Sequence, residues 1–140
     1  MTTTHATPAT VPATASRTWL RRFLALDAVV TGGNGLAYLA ASGPLGDLLG
    51  VERALLIGLG AFLTVFAAGV GLLAARPQPP AFGVRCVVEA NALWAVLSVV
   101  ALFLWLSPTT VGTVWTLLQG ATVAGFAALQ YGALRATAGG

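Results

Sequence analysis

Four apolar runs, each about as long as the helix needed to cross a bilayer, leave this chain few ways to fold. They cover about 23–41, 54–75, 84–106 and 111–134. Helix-breaking residues separate them: Gly43–Pro44, then Arg76-Pro77-Gln78-Pro79-Pro80, then Ser107–Pro108. In hydrocarbon every backbone N–H and C=O must find its partner inside the segment, so these runs form helices. The period-two alternation of an outer-membrane barrel is absent. Composition agrees: 57% of residues are hydrophobic and 8% charged, against roughly a quarter charged in soluble domains. The expected fold class is all-α, a four-transmembrane-helix bundle that forms one domain over 19–135. Residues 1–18, rich in Thr, Ala and Pro, are expected to be a disordered cytoplasmic tail, and 136–140 a short one. Residues 43–53 are expected to be a connecting loop, with Leu45, Leu48 and Leu49 resting on the membrane interface and Glu52 opening the next helix.

The charges set the expected topology. Arg17, Arg21, Arg22, Arg76, Arg85 and Arg135 fall on one side of the four spans; Arg53 falls on the other with Asp47 and Glu52. The positive-inside rule then places both termini in the cytoplasm. The arginines flank apolar runs and form no patch or arm, so the net charge of +3 does not indicate nucleic acid. A cleaved signal peptide is disfavoured, because the first apolar core is long and Asp27 and Asn34 interrupt it. The location expected is a bacterial plasma membrane, crossed several times.

The first span carries a polar stripe. Asp27, Thr31, Asn34 and Tyr38 are spaced four, three and four apart and share one helical face. Such a face needs other helices beside it. Counting depth from the arginines, Asp27 lies five residues past Arg22, Glu89 four past Arg85, Asn91 six past Arg85, and Gln130 five before Arg135. At about 1.5 Å per residue these four residues sit roughly 6–9 Å inside the cytoplasmic edge. They are a candidate polar layer. Asn34, Thr64, Ser98 and Gln119 are candidates for hydrogen bonds nearer mid-membrane. Glu89 and Asn91 are two apart, about 200° around a helix, so they cannot point at one spot.

Two readings of the carboxylates stand side by side. In one, Asp27 and Glu89 line a small hydrated cavity open to the cytoplasm and bind a proton or cation. In the other, they reach headgroup water while Arg22 and Arg85 fold back onto them, Arg85–Glu89 being an i,i+4 pair. The amides are read first as interhelical hydrogen-bond partners. Small residues in the second span form two candidate close-packing rows, Gly60–Thr64–Ala68 and Ala67–Gly71–Ala75. Trp19, Trp105 and Trp115 read as interface anchors, and the deeper Trp94 as packed within the bundle. Thr109 or Thr110 is the expected N-cap of the last span.

A weak internal repeat is visible. Asn34-Gly35-Leu36 matches Asn91-Ala92-Leu93, and Gly60-Ala61 with Phe66-Ala67-Ala68 matches Gly120-Ala121 with Phe126-Ala127-Ala128. A true duplication would be a parallel repeat of two helical hairpins; Ala/Gly/Leu-rich sequence also produces such matches by chance.

The combination LDAVVTGGNGLAYLAA, GAFLTVFAAG and VVEANALW resembles small, uncharacterised four-helix integral membrane proteins of bacteria with GC-rich genomes. The resemblance covers about 22–135, is one of pattern, and implies architecture and location without an activity. Small multidrug transporters are similar in size and helix count and carry a Glu in the first span. This chain has Asp27 there and lacks their aromatic–glycine pattern, so that function is not carried over.

Function is bounded mainly by what is missing. Cys86 is the only cysteine and His5, in the tail, the only histidine, so neither haem ligation by paired histidines nor a zinc or copper cluster is expected. Cys86 and Ser98 have no intramembrane His to activate them. The reading is a non-enzymatic structural or interaction protein of the plasma membrane, with no cofactor and no metal. Its partner is the lipid bilayer, with a homo-oligomer as an option; no nucleic acid partner is expected, and the sequence names no small-molecule or ion ligand. The alternative is a small proton- or cation-coupled transporter or channel subunit using Asp27 and Glu89.

Overall fold

The computed structural model describes residues 13–138 and is all-helical over them. Five helices follow one another: α1 (Ala13–Ala40), α2 (Ser42–Leu49), α3 (Arg53–Ala75), α4 (Ala81–Leu104) and α5 (Thr110–Ala138). All but α2 are long and apolar enough to cross a membrane. Their outward faces are strongly apolar: Val29, Val65, Leu72 and Phe103 are each more than two-thirds exposed.

The helices run up and down. Arg21 near the start of α1 donates from Nε to the carbonyl of Ala74 at the end of α3, 3.0 Å away. Leu20, Leu24, Val70, Val84, Val87 and Leu134 form one core cluster at that end. The start of α4 and the end of α5 therefore lie there too. Arg17, Arg21, Arg22, Arg76, Arg85 and Arg135 share this end. Arg53 lies at the other, where its Nε donates to Ser42 Oγ at 3.2 Å.

Two boundaries differ from the sequence expectation. Residues 1–12 of the expected tail lie outside the described residues, but Ala13–Thr18 are already α1. Beyond Pro12 the chain meets no further proline or glycine until Gly32, so nothing in its chemistry stops the helix from starting early. At the other terminus α5 runs to Ala138, beyond the expected 134, and 139–140 lie outside the described residues.

The stretch expected to be a plain loop is instead α2, a two-turn helix. Gly43 and Pro44 read as breakers, yet Pro44 sits in the first turn, where an α-helix has no internal partner for its N–H groups. α2 ends at Gly50, whose left-handed backbone (φ 71°) suits glycine and lets its N–H reach the Gly46 carbonyl at 2.9 Å. Leu49 of α2 is buried and packs with Tyr38, Leu56 and Leu63 in a second core cluster. α2 also holds the next loop: Thr109 N–H donates to the Leu49 carbonyl at 3.1 Å, and Thr109 Oγ1 to the Leu48 carbonyl at 2.7 Å. The same Oγ1 accepts from Gly112 N–H at 3.1 Å, so Thr109 is the N-cap of α5.

α1 and α3 pack closest. Gly35 meets Gly60 and Thr64 so tightly that a Cβ added at Gly35 would lie 2.9 Å from Thr64 N and 3.0 Å from the Gly60 carbonyl. Gly32 faces Ala67, and Ala28 faces Gly71. The contact row on α3 is thus Gly60–Thr64–Ala67–Gly71, with Ala68 and Ala75 exposed. Each of the two expected rows supplied half of it. The helix turns 3.6 residues at a time, so a straight four-residue row drifts off the interface.

α4 packs on α5, and α5 on α1, so the helices follow one another in space in the order α3–α1–α5–α4. α3 and α4 themselves barely touch. Residues 76–80 hold them together at the arginine end, where Leu73 covers Gly83. At the other end α3 leads from α2 and α4 leads into α5, so no connection draws them together, and the bundle opens.

Candidate functional site

Asp27 is fully buried, between α1, α4 and α5. Thr31, one turn along the same face, donates from Oγ1 to Asp27 Oδ1 at 2.9 Å. Asn91 Nδ2 of α4 and Gln130 Nε2 of α5 both donate to Asp27 Oδ2 at 2.7 Å. Asn91 Nδ2 also approaches Gln130 Oε1 at 3.3 Å. Asn91 and Gln130 are nearly as inaccessible, at 3% and 0% exposure. The carboxyl accepts three hydrogen bonds. No arginine contributes to the cluster.

Of the candidate polar layer, the structure brings Asp27, Asn91 and Gln130 into one cluster and leaves Glu89 out. Glu89 is exposed, on the face of α4 turned away from Asn91. The two-residue spacing forbade both from facing inward, and Asn91 is the one that does. Asp27 and Glu89 therefore share no cavity. Thr31, part of the stripe but not of the candidate layer, is a fourth member of the cluster; its spacing from Asp27 was the signal.

The mid-membrane candidates divide. Gln119 Nε2 donates across from α5 to Tyr38 Oη at 3.0 Å, and Trp115 Nε1 donates to the same oxygen at 2.9 Å. Thr64 and Ser98 turn back onto their own helices, donating to the carbonyls of Gly60 and Trp94, both at 2.7 Å. Short hydroxyl side chains reach the carbonyl four residues back more easily than a neighbouring helix. Asn34 has no side-chain partner among the described residues and faces a cavity.

That cavity, about 920 Å³, occupies the open part of the bundle. It lies on the far side of the Asp27 cluster from the arginines, away from the arginine-bearing end where a cavity was expected. Thr31 and Asn91 form its floor, Asn34 lines its middle, and Tyr38 and Gln119 stand near its α2 end. Its walls are otherwise hydrocarbon and aromatic. Phe62 of α3 and Trp94 of α4 stack across the α3/α4 gap, centroids 5.9 Å apart and planes within 4°. Trp94, expected within the bundle, packs against the Tyr38, Leu49, Leu56 and Leu63 cluster and borders the lateral opening. Phe62, Leu93 and Leu97 form an exposed rim there. The stripe on α1 accordingly serves two purposes: Asp27 ties three helices together, and Thr31, Asn34 and Tyr38 give the cavity its polar side.

The other chemistry-bearing residues stand apart. Cys86 is a free, exposed thiol. Among the described residues no three His, Cys, Asp or Glu side chains converge. Comparisons with protein-family models, with curated proteins and with solved structures return no match. The resemblance to small bacterial four-helix membrane proteins thus gains no support from them, and the class reached here, an all-helical protein with four helices fit to span a membrane, rests on the fold itself.

Proposed function

We propose that this chain is a non-enzymatic interaction protein of a bacterial plasma membrane, with both termini in the cytoplasm. The observation that carries this reading is the engagement of Asp27. Its carboxyl is buried and held by three donors, one from its own helix and two from other helices. A group held in that way stiffens a bundle. A carboxylate that picks up and releases ions needs a wet path, and Asp27 is fully buried. The distribution of arginines supports the orientation. The large lipid-facing surface, on which α4 is the least covered span, leaves room for a second copy of the chain.

The alternative, a proton- or cation-coupled transporter using Asp27 and Glu89, requires the two carboxyls to serve one pathway. Their placement on opposite sides of α4 speaks against it. Vesicles reconstituted with wild type, Asp27→Asn or Glu89→Gln separate the two. Equal passive leak in all three is expected. A pH-gradient-driven flux in wild type that both substitutions abolish would establish the transporter instead.

A further inference from the structure

We propose that the cavity between α3 and α4 is a binding site for a neutral lipid, one whose head carries hydroxyl or carbonyl oxygens and no charge. This goes beyond the proposed role as an interaction protein and does not depend on it. Two observations carry it. The first is unanswered hydrogen-bonding capacity inside an apolar space. Among the described residues the Asn34 amide has no partner, Asn91 is almost wholly buried yet its Oδ1 accepts nothing, and Tyr38 Oη accepts twice without donating its own proton. Polar groups in an apolar space need partners. All three residues lie on the cavity wall, so a ligand with hydroxyl or carbonyl oxygens completes them.

The second observation is the absence of charge from the lining. No Arg, Lys, Asp or Glu borders the cavity; Asp27 sits beneath the floor, screened by Thr31 and Asn91. A phosphate or carboxylate head would enter without a counter-ion, which low polarity penalises heavily. A neutral head meets no such cost. The volume of about 920 Å³ falls within the roughly 300–1,000 Å³ of ordinary small-molecule sites. Access is lateral, from the bilayer, past the Phe62–Trp94 stack, and the hydrocarbon tail leaves by the same opening.

Trp94 and Trp115 both border the cavity and report occupancy by fluorescence. The full chain carrying Trp19→Phe and Trp105→Phe removes the lipid-facing background. Brominated diacylglycerol, titrated into vesicles of unbrominated phosphatidylcholine, should quench the remaining emission saturably at low mole fraction. Asn34→Leu should weaken the apparent affinity about tenfold, the value of one lost hydrogen bond to the head. Gly33→Phe should abolish saturation: Gly33 borders the cavity, and a Cβ there meets nothing within 4 Å, so the ring enters the space without straining the fold. Helical circular dichroism confirms that each variant is folded before titration. Quenching that rises linearly with mole fraction, or that brominated phosphatidylcholine or a brominated fatty acid reproduces at the same mole fraction, would overturn the proposal. So would saturable quenching unchanged in Gly33→Phe.

Discussion

Replacing Asp27 with leucine tests what the cluster does for the bundle. The substitution keeps the volume roughly constant and removes the acceptor shared by Thr31, Asn91 and Gln130. Thr31 can turn back to the carbonyl of its own residue 27, so its loss is small. Asn91 keeps its 3.3 Å contact with Gln130, but each amide is left with a buried N–H that has lost its best partner. Interhelical hydrogen bonds in membranes contribute about 0.6 kcal/mol on average and up to about 1.7. A buried donor left unpaired costs about 1–3 kcal/mol. Two such donors give a destabilisation of about 2–6 kcal/mol for Asp27→Leu. Reversible unfolding in mixed micelles, followed by circular dichroism as denaturing detergent is titrated, measures it. The triple replacement Asp27→Leu, Asn91→Leu, Gln130→Leu removes donors together with acceptor and should regain much of the loss, because an all-apolar core leaves nothing unpaired. If Asp27→Leu unfolds at the wild-type midpoint, or the triple variant loses the sum of three separate penalties, the cluster is not what joins α1 to α4 and α5.

The remaining predictions concern other parts of the same frame. Glu89→Gln, at an exposed position, should change stability by less than about 0.5 kcal/mol in the same titration. Gly35→Leu should separate α1 from α3 and lower the melting temperature in detergent sharply, since its Cβ would meet backbone atoms of α3. Gly58→Ala, where a Cβ meets nothing, should stabilise slightly, by up to about 1 kcal/mol. Tyr38→Phe removes the acceptor of Trp115 and Gln119 and should cost about 1 kcal/mol while shifting Trp115 emission. Thr109→Ala loses the N-cap of α5 and the side-chain tie to α2, keeping its backbone bond to Leu49, and should cost about 1 kcal/mol in the same unfolding assay.

The four long helices were legible in the sequence because helix breakers separate four apolar runs, each long enough to span a bilayer. The level shared by Asp27, Asn91 and Gln130 was legible too, because depth along a helix follows from counting residues. Which face of α4 turns inward was not. The 200° between Glu89 and Asn91 excluded their sharing a site, but choosing between them needs the position of α5, which only tertiary packing provides. α2 was hidden because Gly43–Pro44 signals a break, and position within the first turn, where proline is harmless, cannot be read before the helix start is known. The cavity had no sequence signal of its own. It arises because one short connection, residues 76–80, leads directly from α3 to α4 at one end, while at the other α3 follows α2 and α4 leads into α5.

The central claim is that four helices cross lipid with the arginine-bearing ends together on the cytoplasmic side, and paired cysteine labelling in intact cells tests it most directly. In a Cys86→Ser background, Gln78→Cys lies in the α3–α4 connection and Ser107→Cys in the α4–α5 connection. A membrane-impermeant maleimide should label Ser107→Cys in intact cells and Gln78→Cys only after the membrane is opened. Labelling of Gln78→Cys from outside, or equal labelling of both without permeabilisation, would contradict the account.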